Sequence, residues 1–459
     1  MDTDGADETH TGAGTPGIPG TPAIPGSPDT DVTPAALTTP GASGAAAGGP
    51  VVIVGAGQAG AETAAALRDR GFTGPVTLVG DEPGPPYGRP PLSKDYLTGG
   101  VEPGGLALRP PSYYRDHGIT LTGRDPAVEI DRDGQRLTLA SGRELPYAAL
   151  VLATGARPRP LPVPGAGLAG VLALRSLEDA TAIRDRLADA RDVLVIGGGF
   201  IGLEVAATAR RSGARVTVVE AGPRLMARAV SAPMSAFLAG HHREQGVRVL
   251  LGREVTALRG DAAGRCRVAE LDGGERVPAD LVVAGIGVLP NCSLAAAAGL
   301  AVGDGVLVDD RLRTSDRAVY AVGDCARFPS PYAPGRLRLE SVRNAVEHAR
   351  RVAAVLCGDT PPPAAVPWFW SEQYALRLQI AGITQGHDRT AVAGDPAAGR
   401  FSVLCFRGER LVGTESVNRP ADHMATRRLL ESGAPGPAPA DAERPGFDLK
   451  AFTRSPQPV

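Results

Sequence analysis

Val51-Val52-Ile53-Val54-Gly55-Ala56-Gly57-Gln58-Ala59-Gly60 is a short β-branched run that ends in G-x-G-x-x-G and leads into an Ala-rich, helix-like segment. A dinucleotide pyrophosphate needs this succession: the first glycine makes the tight turn, the second lets the backbone approach the diphosphate, and the third lets helix pack on strand. The motif recurs as Val193-Leu194-Val195-Ile196-Gly197-Gly198-Gly199-Phe200-Ile201-Gly202. Each copy is followed by a second strand ending in an acid. Val76-Thr77-Leu78-Val79 leads to Asp81 and Val216-Thr217-Val218-Val219 leads to Glu220, where a carboxylate would hold a ribose hydroxyl. The pattern predicts an α/β fold with two Rossmann-like units and two bound nucleotides.

At 459 residues the chain is too long for one ordinary core, and two or three domains are expected. A formal net charge of −2 implies no nucleic-acid partner. The five cysteines (Cys266, Cys292, Cys325, Cys357, Cys405) are scattered, odd in number and without a C-x-x-C pair. That argues against a disulfide framework or a bound metal and fits a reducing cytoplasm. No segment has the roughly 20 uninterrupted apolar residues of a membrane span. Residues 1–49, rich in Gly, Pro, Ala and Thr, read as a disordered tail without a signal-peptide pattern. A period of three over residues 14–28 favours polyproline II locally.

Only Lys94 and Lys450 are lysines among 48 basic residues, so Lys94 stands out. It ends Pro85-Pro86-Tyr87-Gly88-Arg89-Pro90-Pro91-Leu92-Ser93-Lys94, a loop with too many prolines for a regular helix. Lys94 is either an arbitrary surface lysine or a compact cation placed where a guanidinium would not fit. Further on, Ala149-Leu150-Val151-Leu152-Ala153-Thr154-Gly155 and Asp280-Leu281-Val282-Val283-Ala284-Gly285-Ile286-Gly287 read as buried strands ending in small-residue turns. A helix is expected around residues 176–188. Val319-Tyr320-Ala321-Val322-Gly323-Asp324 reads as a strand entering a helix, with Asp324 either reaching a sugar-alcohol hydroxyl or serving as an N-cap. Pro361-Pro362-Pro363 marks a linker. Alternation in Leu376–Ile380 and Phe401–Phe406 predicts antiparallel strands in a smaller α+β C-terminal domain.

The ordered motifs GAGQAG, PYGRPPLSKDYL, ATGARPRPLP, IGGGFIGLE, AGIGVLPN, YAVGDCARF and PWFWSEQY resemble the FAD-dependent NADH:ferredoxin reductases of bacterial oxygenase systems, of the putidaredoxin reductase and biphenyl dioxygenase ferredoxin reductase type. The likeness covers about residues 50 to 430. It implies a glutathione-reductase-like architecture: a discontinuous FAD-binding domain (50–159 and 290–366), an inserted NAD-binding domain (160–289) and a C-terminal domain (367–459). The family pattern places Gly55, Gly57, Ala59 and Gly60 on the FAD pyrophosphate and Asp81 near its adenosine. Arg89 and Lys94 fall on the isoalloxazine side, with Ala127, Thr154, Gly155 and Arg175 also near FAD. Gly323 and Asp324 fall at the ribityl chain, and Val342 and Trp370 beside the ring. Gly197, Gly199, Ile201, Gly202, Glu204, Glu220, Gly285, Ile286 and Gly287 would serve NAD.

Lys94, Glu204 and Trp370 are the catalytic candidates under this resemblance. A lysine near the flavin can stabilise negative charge on the reduced ring, and Glu204 is a plausible ion-pair partner beside the nicotinamide. From the residues alone, Glu204 is also readable as a solvated helix carboxylate and Trp370 as a core aromatic. Disulfide reductases of this fold carry C-x-x-x-x-C, which this chain lacks. Electrons are therefore expected to pass from NADH through FAD directly to a 2Fe-2S ferredoxin serving a haem monooxygenase or Rieske dioxygenase. Arg109 and Arg350 align with docking positions and could steer an acidic partner. Glu220 argues for NADH, although Arg224 and Arg228 follow it closely. Cys325 is expected to be structural. A monomer or weak dimer, free of membrane and nucleic acid, is expected. Rival readings are a rubredoxin reductase or NADH oxidase on the same scaffold, and a redox-sensing NADH-binding flavoprotein.

Overall fold

The computed structural model describes residues 48–454. The reading of residues 1–49 as a tail falls almost wholly outside them. Val51–Val54 lies at the centre of a five-stranded parallel sheet ordered Val319–Ala321, Ala149–Leu152, Val51–Val54, Val76–Val79, Ile119–Thr122. The three inner strands are almost fully buried, as expected where both faces of a parallel sheet are covered. The helices Gln58–Asp69 and Val342–Leu356 pack together against this core. The antiparallel ladder Ala127–Asp131, Arg136–Leu139 and Glu144–Pro146 adds Ile130, Leu137 and Leu139 to it.

A second five-stranded parallel sheet repeats the arrangement, ordered Arg248–Leu251, Arg215–Glu220, Asp192–Ile196, Leu281–Ala284, Val171–Ala173. Its first helix, Leu177–Leu187, opens with a capping box in which Ser176 and Asp179 satisfy each other's backbone N–H. Chain exit and return between the sheets run side by side, as Ala156–Pro158 pairs antiparallel with Val288–Pro290. The last sheet is antiparallel, ordered Trp368–Gln373, Leu376–Gly382, Arg410–Val417, Arg400–Arg407, Arg389–Asp395. Its Leu378, Phe401, Val403 and Val417 share one core with Val193, Leu203 and Leu238 of the second unit and with Leu92 and Tyr96 of the proline-rich loop.

One expected element is absent. The chain does not enter a helix at Gly323-Asp324: Gly323–Cys325 forms a single 3-10 turn and Ala326–Pro329 is a strand. Gly323 sits at φ 72, outside helical space, and Ala326 pairs with Val306 in parallel. The helix comes later, at Val342–Leu356, where the Ser341 hydroxyl accepts from the Asn344 N–H. Among the described residues no helix is long and apolar enough to cross a membrane.

Candidate active site

In both glycine loops two positions are forced by the chain itself and one is not. Gly55 (φ 112) and Gly197 (φ 102) adopt left-handed backbone, and a Cβ there would lie 2.1 Å from the Ala153 carbonyl oxygen and 2.5 Å from that of Gly285. A Cβ on Gly60 or Gly202 would lie 1.9 Å or 2.3 Å from the carbonyl oxygen of its own first glycine. By contrast, a Cβ on Gly57 would meet nothing within 4 Å, and one on Gly199 only the Gly285 oxygen at 4.0 Å. These middle glycines face open space at helix N-termini, where N–H groups and the helix dipole favour an anion. The loops therefore fit two dinucleotide phosphates. Around the second loop, the Gly285 N–H donates to the Ile196 carbonyl, Ile286 packs on the core, Gly287 takes φ 113, and Ile201 stays 45% exposed. Around the first, Ala59 abuts Gly323.

The two strand-end acids behave differently. Glu220 accepts from the Gly198 and Gly222 N–H groups, both at 2.7 Å, so it braces the second loop. Asp81 is exposed, and its neighbour Glu82 makes the structural contacts instead. Glu82 accepts from Arg89 at 2.6 Å and from the Tyr87 hydroxyl. Arg89 also donates to the Arg175 carbonyl at 2.5 Å, and Arg175 pairs with Asp324 at 3.2 Å. Gly155 lies beside the Arg175 guanidinium. Thr154 donates to the Asn291 carbonyl at 2.7 Å, and the Asn291 amide donates back to the Thr154 carbonyl at 2.9 Å. Thus Arg89, Thr154, Gly155, Arg175 and Asp324 converge. Asn291 and Glu82 carry no signal of their own in the sequence, although both lie inside or beside the quoted motifs. Val342 opens its helix, Ala127 begins its strand against the first core, and Trp370 is half-buried.

Lys94 and Glu204 form the site's one deeply buried ion pair of the sequence candidates, at 2.6 Å with Glu204 only 3% exposed. Glu204 is therefore not a solvated helix carboxylate. The 3-10 turn Pro90–Ser93 presents Lys94, and Thr208, one turn beyond Glu204 on helix Phe200–Arg211, donates to the Ser93 carbonyl at 2.9 Å. Glu204 Oε2 also accepts from the Ser93 hydroxyl at 2.5 Å, and Oε1 accepts from the Ser371 hydroxyl at 2.7 Å. A buried carboxylate needs such partners, because desolvation otherwise outweighs the pairing energy. Phe369 and Ser371 of the Trp368–Gln373 strand face this helix, with Phe369 and Phe200 rings 4.5 Å apart. Strand alternation turns Trp368 and Trp370 to the opposite face, where Trp368 meets His423 and Arg427.

A further residue supports the Gly323-Asp324 turn. The Gly323 N–H donates to His348 Nδ1 at 3.1 Å, and the imidazole sits edge-on to Phe328 with centroids 4.3 Å apart. Burial, with Arg351 adding, pushes the His348 pKa down to about 3. An unfolded histidine titrates near 6.5, so this contribution to stability is complete above that pH and is lost as pH falls from 6.5 toward 3. His348→Gln removes the titrating group. Between pH 7.5 and 5, urea unfolding should show wild type losing about 2 kcal/mol more than the variant. Equal losses would mean that folding does not hold His348 neutral.

The docking candidates separate. Both Arg109 η nitrogens are occupied by Glu62, at 3.1 and 3.0 Å, whereas the Arg350 side chain is 57% exposed. Arg224 spends its donors on the backbone carbonyls of Ala227, Val230 and Ser231. Cys325 is fully buried, and burial pushes its thiol pKa up, away from reactive thiolate character.

Residues 49–349 match the model of the pyridine nucleotide-disulphide oxidoreductase family, and residues 368–453 match that of the reductase C-terminal domain. The chain belongs to the pyridine nucleotide-disulphide oxidoreductase family. Rhodocoxin reductase of Rhodococcus erythropolis is 51% identical over 400 residues, 87% of this chain and 93% of that protein. A ferredoxin reductase structure from Rhodopseudomonas palustris is 45% identical, with TM-score 0.85, covering 88% of this chain and 99% of that one. The reductase in a putidaredoxin reductase–putidaredoxin complex is 42% identical, with TM-score 0.86, covering 89% and 99%. As a member of this oxidoreductase family the chain is FAD-dependent and uses NAD(H).

Proposed function

We propose that this flavoprotein passes electrons from NADH through FAD to a 2Fe-2S ferredoxin serving a haem monooxygenase or Rieske dioxygenase. One observation carries the reading: the Lys94–Glu204 contact joins the loop of the first nucleotide unit to the helix of the second, so both units meet at one buried charge pair. Under this reading FAD belongs to residues 50–159 and 290–366, NAD to residues 160–289, and the C-terminal unit to 367–459. Bound FAD supplies the ability to take two electrons as hydride and release them singly. Lys94 would supply positive charge to stabilise a reduced flavin, and Glu204 fixes the direction of the ammonium. Overall, one NADH and two oxidised ferredoxins would give NAD+, two reduced ferredoxins and one proton, with no proton taken up in the hydride step.

The cysteines give no relay, since the chain has no C-x-x-x-x-C and Cys325 is buried. Five unpaired thiols fit a reducing cytoplasm. Exposed Arg350 suits contact with an acidic ferredoxin better than Arg109 does. NADH is the favoured donor because a carboxylate at Glu220 repels a 2′-phosphate and Arg224 is engaged elsewhere. NADH-driven cytochrome c reduction should require an added 2Fe-2S ferredoxin and should fall sharply when NADPH replaces NADH. Equal rates with oxygen alone would make it an NADH oxidase, and a requirement for rubredoxin would make it a rubredoxin reductase.

A further inference from the structure

Glu204 is the end of a longer polar chain that the hydride-transfer reading does not use. Its Oε1 accepts from Ser371, and Ser371 Oγ lies 3.2 Å from Gln373 Nε2. Gln373 Oε1 lies 2.9 Å from His242 Nε2, and His242 Nδ1 lies 3.4 Å from the Tyr374 hydroxyl. Ser371, Gln373 and His242 are all at most 2% exposed. The chain joins helix Phe200–Arg211 to helix Ala232–Glu244 through a strand of the C-terminal sheet.

Hydrogen-bond chemistry fixes the direction of the chain. A carboxylate only accepts, so the Ser371 proton must point to Glu204, which leaves the Ser371 oxygen to accept from the Gln373 amide. The Gln373 oxygen must then accept from His242 Nε2–H. That leaves Nδ1 unprotonated and free to accept from Tyr374. Burial lowers the His242 pKa, which agrees with a neutral ring. The four donors all point toward Glu204, and aligned hydrogen bonds of low dielectric polarise one another.

We propose that Ser371, Gln373 and His242 are positioning residues, a donor chain from the C-terminal sheet that holds the Glu204 carboxylate in the orientation that aims Lys94. The proposal rests on the reading of Glu204 as part of the hydride-transfer site. It gives the C-terminal domain a part in NADH oxidation besides any part in partner docking. The chain touches Glu204 on the oxygen opposite Lys94, so its loss frees the carboxylate to rotate without removing the ion pair.

The test is anaerobic stopped-flow reduction of the FAD-loaded enzyme by NADH. Ser371→Ala and Gln373→Met should each lower the limiting reduction rate about tenfold or more with NADH affinity near wild type, and each should lower the melting temperature somewhat because a buried partner is left unpaired. Gln373→Met keeps side-chain length but cannot donate to Ser371, and Ser371→Thr, which keeps the hydroxyl, should reduce at the wild-type rate. Nitrogen-15 spectra of wild type should show His242 protonated at Nε2 alone. If Glu204→Gln reduces at the wild-type rate, the hydride-site reading falls. If Glu204→Gln is slow while Gln373→Met and Ser371→Ala are normal, or His242 is protonated at Nδ1, the donor chain is overturned.

Discussion

Replacing Lys94 with methionine should slow flavin reduction by NADH about 100- to 1000-fold, the loss expected when a preorganised charge is removed from a site where charge develops. Methionine keeps the stem that threads the proline-rich loop and deletes only the ammonium, which lies 2.6 Å from Glu204 and 3.1 Å from the Pro90 carbonyl. Glu204, 3% exposed, then remains buried with hydroxyl donors but no cation. Stranding one partner of a buried pair costs about 3–5 kcal/mol, and the low end applies because 16% of the Lys94 side chain still meets solvent. Adding Glu204→Gln removes the stranded charge. The double variant should regain most of the stability and none of the rate, as read by chemical unfolding and stopped-flow absorbance. Wild-type reduction by Lys94→Met would remove Lys94 from the mechanism.

Gly199→Val should keep its flavin and lose NADH affinity by about 100-fold or more, roughly 2.7 kcal/mol. Gly57→Val should do the reverse and purify without flavin. The contrast is clean because neither glycine is there for its backbone: Gly199 has φ −81 and ψ 179, and Gly57 has φ −81 and ψ −165, extended values that any residue adopts. Neither substitution meets a protein atom closer than 4.0 Å at Cβ. The side chain projects only into the space read as the phosphate position. Flavin absorbance of the purified variants and an NADH titration check both. Unchanged NADH affinity in Gly199→Val would detach the second glycine loop from NADH.

Much of this architecture is legible because it follows local rules. The two β-branched runs, the glycine spacing and the following helices announce both parallel sheets, and period-two alternation announces the C-terminal strands. The turn at Gly323 is not legible, because a strand followed by Gly-Asp looks locally like a helix entrance. What stops the helix is a left-handed glycine and the pairing of Ala326 with Val306, a non-local partner. The same limit hid Ser371, 167 residues from Glu204, and His348, whose neighbours along its helix carry no sign of the Gly323 N–H it accepts. The contacts of Glu82 with Arg89 and Tyr87 are not legible, because the spacing rule locates the end of a strand but not the partners of the residue beside it. Lys94 was readable by a different route, as one of two lysines in an arginine-rich chain.

The central claim is that NADH, one flavin and a one-electron iron-sulfur partner form a single route through the Lys94–Glu204 contact. An anaerobic titration tests it most directly. One equivalent of NADH should bleach the flavin, and two equivalents of oxidised 2Fe-2S ferredoxin should restore its absorbance as the ferredoxin is reduced. A bleached flavin that ignores ferredoxin but reoxidises at once when oxygen is admitted would contradict the account.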